Sequence, residues 1–357
     1  MKTLGTGIKI AIGLSVGLML GQGKADAADY SARRTLDAAS RTSGLGRSSV
    51  ELLSRAKGPG QDIVMKTILE KYRTSTGGVT TSGEYQIDQQ ATRTRISGSG
   101  WYLQVHGDGT MVRYRNIARL DAGARLGKPV VYRMTNDELE KRGRDFISRD
   151  LSGFIKLGQN ETLVPFKTEY QVDGGQSASG GSATNLVVAS TVVFSRTIDG
   201  LHVVGPGSKV AITFINDGTP VGFDFDWAPY ARTGRKQEVL AVSKILERGK
   251  RFLPTGGTTK LQRFECGILD QGARRRDPSA LLQSACYFHQ MSTRVGDAAR
   301  NRLNPADGLI RSAHADPIPA GLTVEPDLKW PQAMALCTSS TLCGKPTTGE
   351  TPPNAAQ

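Results

Sequence analysis

Two carboxylates, Asp224 and Asp226, stand two residues apart within Val221-Gly222-Phe223-Asp224-Phe225-Asp226-Trp227. In an extended strand that spacing puts both on one face, as a general acid and base pair would require. The same face is also where strands carry solvated charge, and Lys209 falls opposite Asp226 in the hairpin described below. Charge pairing therefore outweighs catalysis. No Gly-x-Ser-x-Gly elbow is present. The run Gly123 to Lys128 ends in Gly-Lys, but its spacing is wrong and Pro129 stands where a P-loop needs Ser or Thr. Gly205-Pro206-Gly207-Ser208 could form an anion nest before a strand, although a plain turn is the simpler reading. None of the four histidines (His106, His202, His289, His314) is followed by Glu, so no His-Glu-x-x-His zinc helix exists. Arg274-Arg275-Arg276 could touch an anionic polymer, but without interleaved aromatics it reads as a solvated loop, and nucleic acid is a disfavoured partner. No metal site and no cofactor is expected.

The cysteines carry the remaining side-chain chemistry. Cys266, Cys286, Cys337 and Cys343 all fall late in the chain, and without the Cys-x-x-Cys spacing of zinc sites they read as half-cystines. Three connectivities are possible, and the local one, Cys266–Cys286 with Cys337–Cys343, is the natural expectation. An oxidising compartment fits the N-terminus. Lys2 and Lys9 precede an apolar run from Ile10 to Leu20, and Ala25-Asp26-Ala27 supplies a cleavage site. That is the pattern of a secretory signal peptide, too short to span a bilayer. A secreted or periplasmic protein with no membrane span after cleavage is expected. The net charge of +13 favours anionic envelope surfaces or acidic proteins as partners.

Strands and turns must position these groups. Leu186, Val188, Val192 and Phe194 share one parity, as do Val210, Ile212 and Phe214, and then Val221, Phe223, Phe225 and Trp227. Period two over such lengths marks half-buried strands. Asp217-Gly218 between the last two runs predicts a two-residue type I′ hairpin. Its register puts Phe214 opposite Val221, Ile212 opposite Phe223, Val210 opposite Phe225, Lys209 opposite Asp226 and Pro220 opposite Ile215. A second hairpin, Trp101 to Tyr114, turns at Asp108-Gly109 and sets Val105 against Val112, Leu103 against Tyr114 and Gln104 against Arg113. Helices are expected at Ser48–Lys57, Asp62–Tyr72, Asn136–Ile147 and Gln237–Phe252, the third capped by Thr135 with Glu138 in the capping-box position. Tyr85–Ile96 reads as one polar strand, Leu163–Val172 as another, and runs around Cys266 and Cys286 as two more.

One stretch carries a resemblance. Val193-Phe194-Ser195-Arg196-Thr197-Ile198-Asp199-Gly200-Leu201-His202-Val203-Val204-Gly205-Pro206-Gly207-Ser208, continuing into Lys209-Val210-Ala211-Ile212, is similar to the strand, glycine loop, strand pattern of FTP/PepSY-type propeptides of secreted metalloproteases. The likeness spans Thr135 to Tyr230 and departs where the family often has proline, since His202 stands there. It implies a helix packed on an antiparallel sheet that inhibits and helps fold a protease. No protease domain follows here. The expected fold class is therefore α+β, with helices packed on antiparallel sheets in PepSY/cystatin-like units. The expected organisation is signal peptide 1–27, flexible segment 28–61, helix-plus-sheet units 62–130, 131–232 and 233–315, and a Pro/Thr-rich tail 316–357. The expected function is non-catalytic binding of a secreted or envelope protein, a protease among them. Gly200, Leu201, His202, Gly205, Pro206, Gly207 and Ser208 are the candidate contact residues. The alternatives are an envelope or matrix component retained by charge and, third, a hydrolase of unknown substrate.

Overall fold

The structure, a computed structural model, describes residues 49–74, 77–124, 127–129, 133–175, 184–241, 243–245, 258–273, 280–295 and 309–321. The expected signal segment, the Arg274–Arg276 run, Cys337, Cys343 and the tail from residue 322 lie outside the described residues. Strands β1 (Ser49–Arg55) and β12 (Tyr230–Glu238) form an antiparallel pair. The large sheet runs β15 (Leu309–Pro319), β14 (Ser284–Val295), β13 (Thr258–Leu269), β9 (Leu201–Val204), β8 (Thr184–Ile198), β10 (Lys209–Ile215), β11 (Pro220–Asp226), β5 (Met111–Asn116), β4 (Trp101–His106), β3 (Arg93–Gly98), β2 (Tyr85–Gln90). Strands β6 (Lys128–Pro129) and β7 (Glu161–Gly175) pair with β8 off that path. Its neighbours run antiparallel except β9 and β13, which are parallel, so the sheet is mixed.

The expected α+β class does not hold; the fold is β-rich. Helices α1 (Gln61–Lys71), α2 (Ile117–Ala124) and α3 (Asn136–Phe146), with a π-helical turn at Ile147–Leu151, are short against this large mixed sheet. One stretch expected to be helical is strand instead, and a second begins as strand. Ser49–Arg55 is β1, paired with β12, and Val50 and Leu53 are buried against Ile198, Leu201, Ile268 and Leu282 rather than by a helical face. In the second, Gln237 and Glu238 end β12, residues 243–245 are helical as expected, and residues 242 and 246–252 lie outside the described residues. Tyr85–Ile96 is not one strand but a hairpin, β2 and β3, closed by the pair Gln90–Arg93.

The core beneath the helices follows the apolar parity. Val64 and Ile68 of α1, Leu139 and Phe146 of α3, and Leu103, Val112, Tyr114, Ile212, Phe214, Phe223 and Phe225 of the sheet form one cluster. Thr135 and Glu138 make the expected reciprocal capping box at the start of α3. Gly143 allows α3 to lie close on β8, because a Cβ there would stand 2.6 Å from the Phe194 ring. The Trp101–Tyr114 hairpin has the expected register.

The other hairpin departs at its tip. Lys209–Asp226, Val210–Phe225 and Ile212–Phe223 face each other as expected, but Phe214 faces Pro220 rather than Val221. Ile215 N–H donates to Thr219 O (3.1 Å) and Gly218 N–H to Ile215 O (2.9 Å). Gly218 has φ +85° whereas Asp217 is not left-handed, so the turn is type I closed by a glycine bulge, not type I′. The type I′ signature belongs to Asp199-Gly200, where φ is +51° and +78° and Ile198 pairs with Leu201.

Candidate functional site

Strand β9 is the seam of the molecule. It is antiparallel to β8 on one edge and parallel to β13 on the other, through Val203–Ile268 and Val204–Leu269. Pleating sends alternate side chains to opposite faces. Leu201 and Val203 enter a small core with Val50, Leu53, Ile198, Ile268 and Leu282, while Val204 packs with Leu269 and Ala285.

Two concavities flank this strand. The larger is an open groove of about 590 Å³ with an apolar floor of Val50, Leu53, Ile198, Leu201 and Ile268. Its rim carries Glu51, Asp199, Arg232 and Lys236. Arg232 grips Asp199 with both terminal nitrogens (2.6 and 2.9 Å) and reaches Glu51 at 2.9 Å. The hydrogen bond from Arg232, helped by Gly234 N–H, holds the Glu51 carboxyl below its usual range. The smaller is a notch of about 300 Å³ lined by Phe166, His202, Gly205, Lys209, Glu265 and Cys266 among others. Lys209 Nζ donates to Val203 O (3.0 Å) and Gly207 O (3.2 Å) and lies 5.2 Å from the Phe166 ring centre. Cys266 and Cys286 face each other across β13 and β14 and are disulfide-bonded, as expected.

Beneath the seam lies a buried polar network. Arg196 shares parity with Val192 and Phe194, so it points to the helix side of the sheet, and it is fully buried. Its guanidinium lies 3.9 Å from the Trp227 ring centre, 4.5 Å from that of Tyr230, and 3.4 Å from Glu161 Oε1. The Tyr230 hydroxyl donates to Asp270 Oδ2 and exchanges a 2.6 Å hydrogen bond with Ser208. Asp270 Oδ1 accepts from Arg55 (2.9 Å) and from Gly272 N–H (3.1 Å). Burial, then the Asp270 charge, pushes the Tyr230 phenol well above its ordinary value, so it stays a donor. These contacts tie together β1, β7, β8, β12, the 205–208 turn and the end of β13.

The residues expected from sequence now divide. Gly200 is exposed at the turn above the groove, Leu201 forms part of its floor, and His202 and Gly205 line the notch. Pro206 is exposed at the tip of its turn, whereas Gly207 and Ser208 are buried. A Cβ on Gly207 would fall 2.3 Å from the Asp270 carboxyl carbon, so the 205–208 stretch is a packed turn rather than an open anion cradle. Asp224 and Asp226 do not converge on a reactive centre. Asp224 is held by Arg115 (2.6 Å) and Arg113 (3.2 Å), and Asp226 accepts from Ala273 N–H (2.6 Å). His106 lies away from the seam, hydrogen-bonded to Gln104 at the end of β4. Among the described residues no group of three or more His, Cys, Asp or Glu could hold a metal.

Arg196, Tyr230, Asp270, Arg55 and Arg232 escaped sequence reasoning. One signal was available: Asp199-Gly200 between two apolar runs is itself a turn dipeptide, and it sets the groove's rim.

No protein-family model matches the chain, and no curated protein matches it. Among solved structures, an uncharacterized protein from Eubacterium rectale ATCC 33656 superposes with a TM-score of 0.46 at 9% identity, covering 77% of this chain and 85% of that one.

Proposed function

We propose that this is an exported, non-catalytic protein that binds a partner polypeptide in the groove beside Asp199-Gly200-Leu201. The observation that carries the reading is the groove itself: a concavity open to solvent, with a largely buried apolar base and a polar rim on which Glu51, Asp199 and Arg232 are already paired. Such a surface suits a partner segment that pairs polar groups with the rim while resting on a rigid apolar base. The carboxylates that would serve catalysis are instead held in place, Asp224 by two arginines and Asp226 by the Ala273 N–H, which fixes shape rather than moving protons. Export is supported by the leader-like segment 1–27, by the Cys266–Cys286 disulfide, and by the lack, among the described residues, of any helix long and apolar enough to cross a membrane.

A secreted protease is the partner class to test first. The chain from Ala28 onward would be titrated against secreted metalloproteases of its own source, beside a Lys236→Glu variant at the exposed rim. Saturable inhibition, weakened in the variant, is the expected result. The charge of +13 favours a second reading, retention on anionic envelope surfaces. Absence of inhibition together with envelope binding that fades steeply with salt would replace the first reading with this one.

A further inference from the structure

Strand β2 ends the order of the large sheet, and all six of its residues are exposed. Its neighbour β3 pairs Gln90 with Arg93 across the Ala91-Thr92 turn, so that closing pair must be a hydrogen-bonded one. Hydrogen-bonded pairs alternate, so the backbone N–H and C=O groups of Tyr85, Ile87 and Gln89 are the ones that point away from β3, toward an edge with no further strand among the described residues. The protections usual on such edges, a lysine, a proline or a bulge, are missing from Tyr85-Gln86-Ile87-Asp88-Gln89-Gln90. Ile87 is 61% exposed and Tyr85 46% exposed, and both lie on the face that carries Ile96 and Leu103.

We propose that this edge pairs antiparallel with β2 of a second copy of the chain, centred on Ile87. Three considerations select that occupant and that register. The outward-pointing residues are symmetric about Ile87, so a two-fold axis there matches every donor to an acceptor: Ile87 to Ile87, Tyr85 to Gln89, Gln89 to Tyr85. Asp88 then faces Gln86 of the other copy, which separates the carboxylates. Sliding the centre to Asp88 sets two carboxylates directly opposite, and sliding it to Gln86 sets Asp88 against Glu84; both place like charges in contact. The two Ile87 side chains cover each other on the apolar face, and the shared sheet keeps both helix layers on one side. An edge of this length falls at the small end of interface size, below about 1,200 Å², so association is concentration-dependent.

The test uses the chain from Ala28 in sedimentation equilibrium between micromolar and millimolar concentration, followed by cross-linking. A rise from monomer to dimer mass is expected, and Ile87→Lys should hold the protein monomeric with an unchanged circular dichroism spectrum. In the proposed register, position 87 of one copy faces position 87 of the other at about 5.5 Å between Cα atoms, within disulfide range. Under mild oxidation Ile87→Cys should therefore form a covalent dimer above the wild-type background, and Asp88→Cys should not. Monomer mass throughout, a dimer that survives Ile87→Lys, or cross-linking through position 88 instead of 87 would each overturn the proposal.

Discussion

Beneath α1 and α3, Phe223 stacks on Tyr114 at 5.3 Å and on Phe225 at 6.4 Å, and Tyr72 and Phe146 lie about it. Where β11 runs out, the packing changes character: Arg196 lies between Trp227 and Tyr230, and Asp270 holds Tyr230 and Arg55. The helix-covered region is held by apolar area removed from water. The seam is held by charges that burial makes expensive unless each is matched. The lesson is a division of labour. The aromatic core supplies stability and tolerates approximate shape, whereas the network beneath the seam fixes where six segments meet and so shapes the groove above it.

Substitutions can sharpen that contrast. Phe223→Ala should cost about 3–5 kcal/mol by denaturant titration, the loss expected for a buried aromatic; a cost under about 1 kcal/mol would deny the region its role. Asp270→Ala should cost about 3 kcal/mol or more, since Arg55 and Tyr230 would keep their burial without their partner. Replacing Arg55 and Asp270 together by leucine should cost less than Asp270→Ala alone. A double variant as costly as the two single ones combined would remove the charge-matching argument.

A pH experiment separates the regions more gently. Burial raises the phenols of Tyr72 and Tyr230 and lifts Tyr114 to about 12. For a phenol raised in the folded state, folding favours the protonated form. Its stabilisation is complete below the unfolded value of about 10 and falls as pH rises from there toward the folded value. Ultraviolet titration should show these phenols ionising only together with unfolding. Ionisation of Tyr72, Tyr114 and Tyr230 near pH 10 without unfolding would contradict the burial. The smallest effect belongs to the capping box: Thr135→Ala should lower stability by about 1 kcal/mol in thermal melts, with no change in the groove.

The two regions also differed in how far the sequence announced them. The parity of Val210, Ile212, Phe223 and Phe225, the Asp108-Gly109 turn and the Thr135 cap were all legible, because each depends on neighbours within a few residues. The hairpin tip was misread because Asp-Gly serves both type I′ turns and bulged type I turns. Residues 217–218 take the second form and residues 199–200 the first. The network was not legible. A buried Arg196 looks like any strand arginine until Trp227 and Tyr230 are brought over it from a later segment, and Arg55 meets Asp270 across a separation of 215 residues. The α+β expectation failed for a related reason: β1 pairs with β12 and packs on residues of β8, β9 and β13, all far along the chain, and no local period reports that.

Hydrogen exchange on the chain from Ala28, alone and with a secreted metalloprotease of its own source, tests the binding account most directly. The account predicts new protection in peptides covering 198–205 and 230–238, around the groove. Unchanged exchange there, or protection confined to other surfaces, would contradict it.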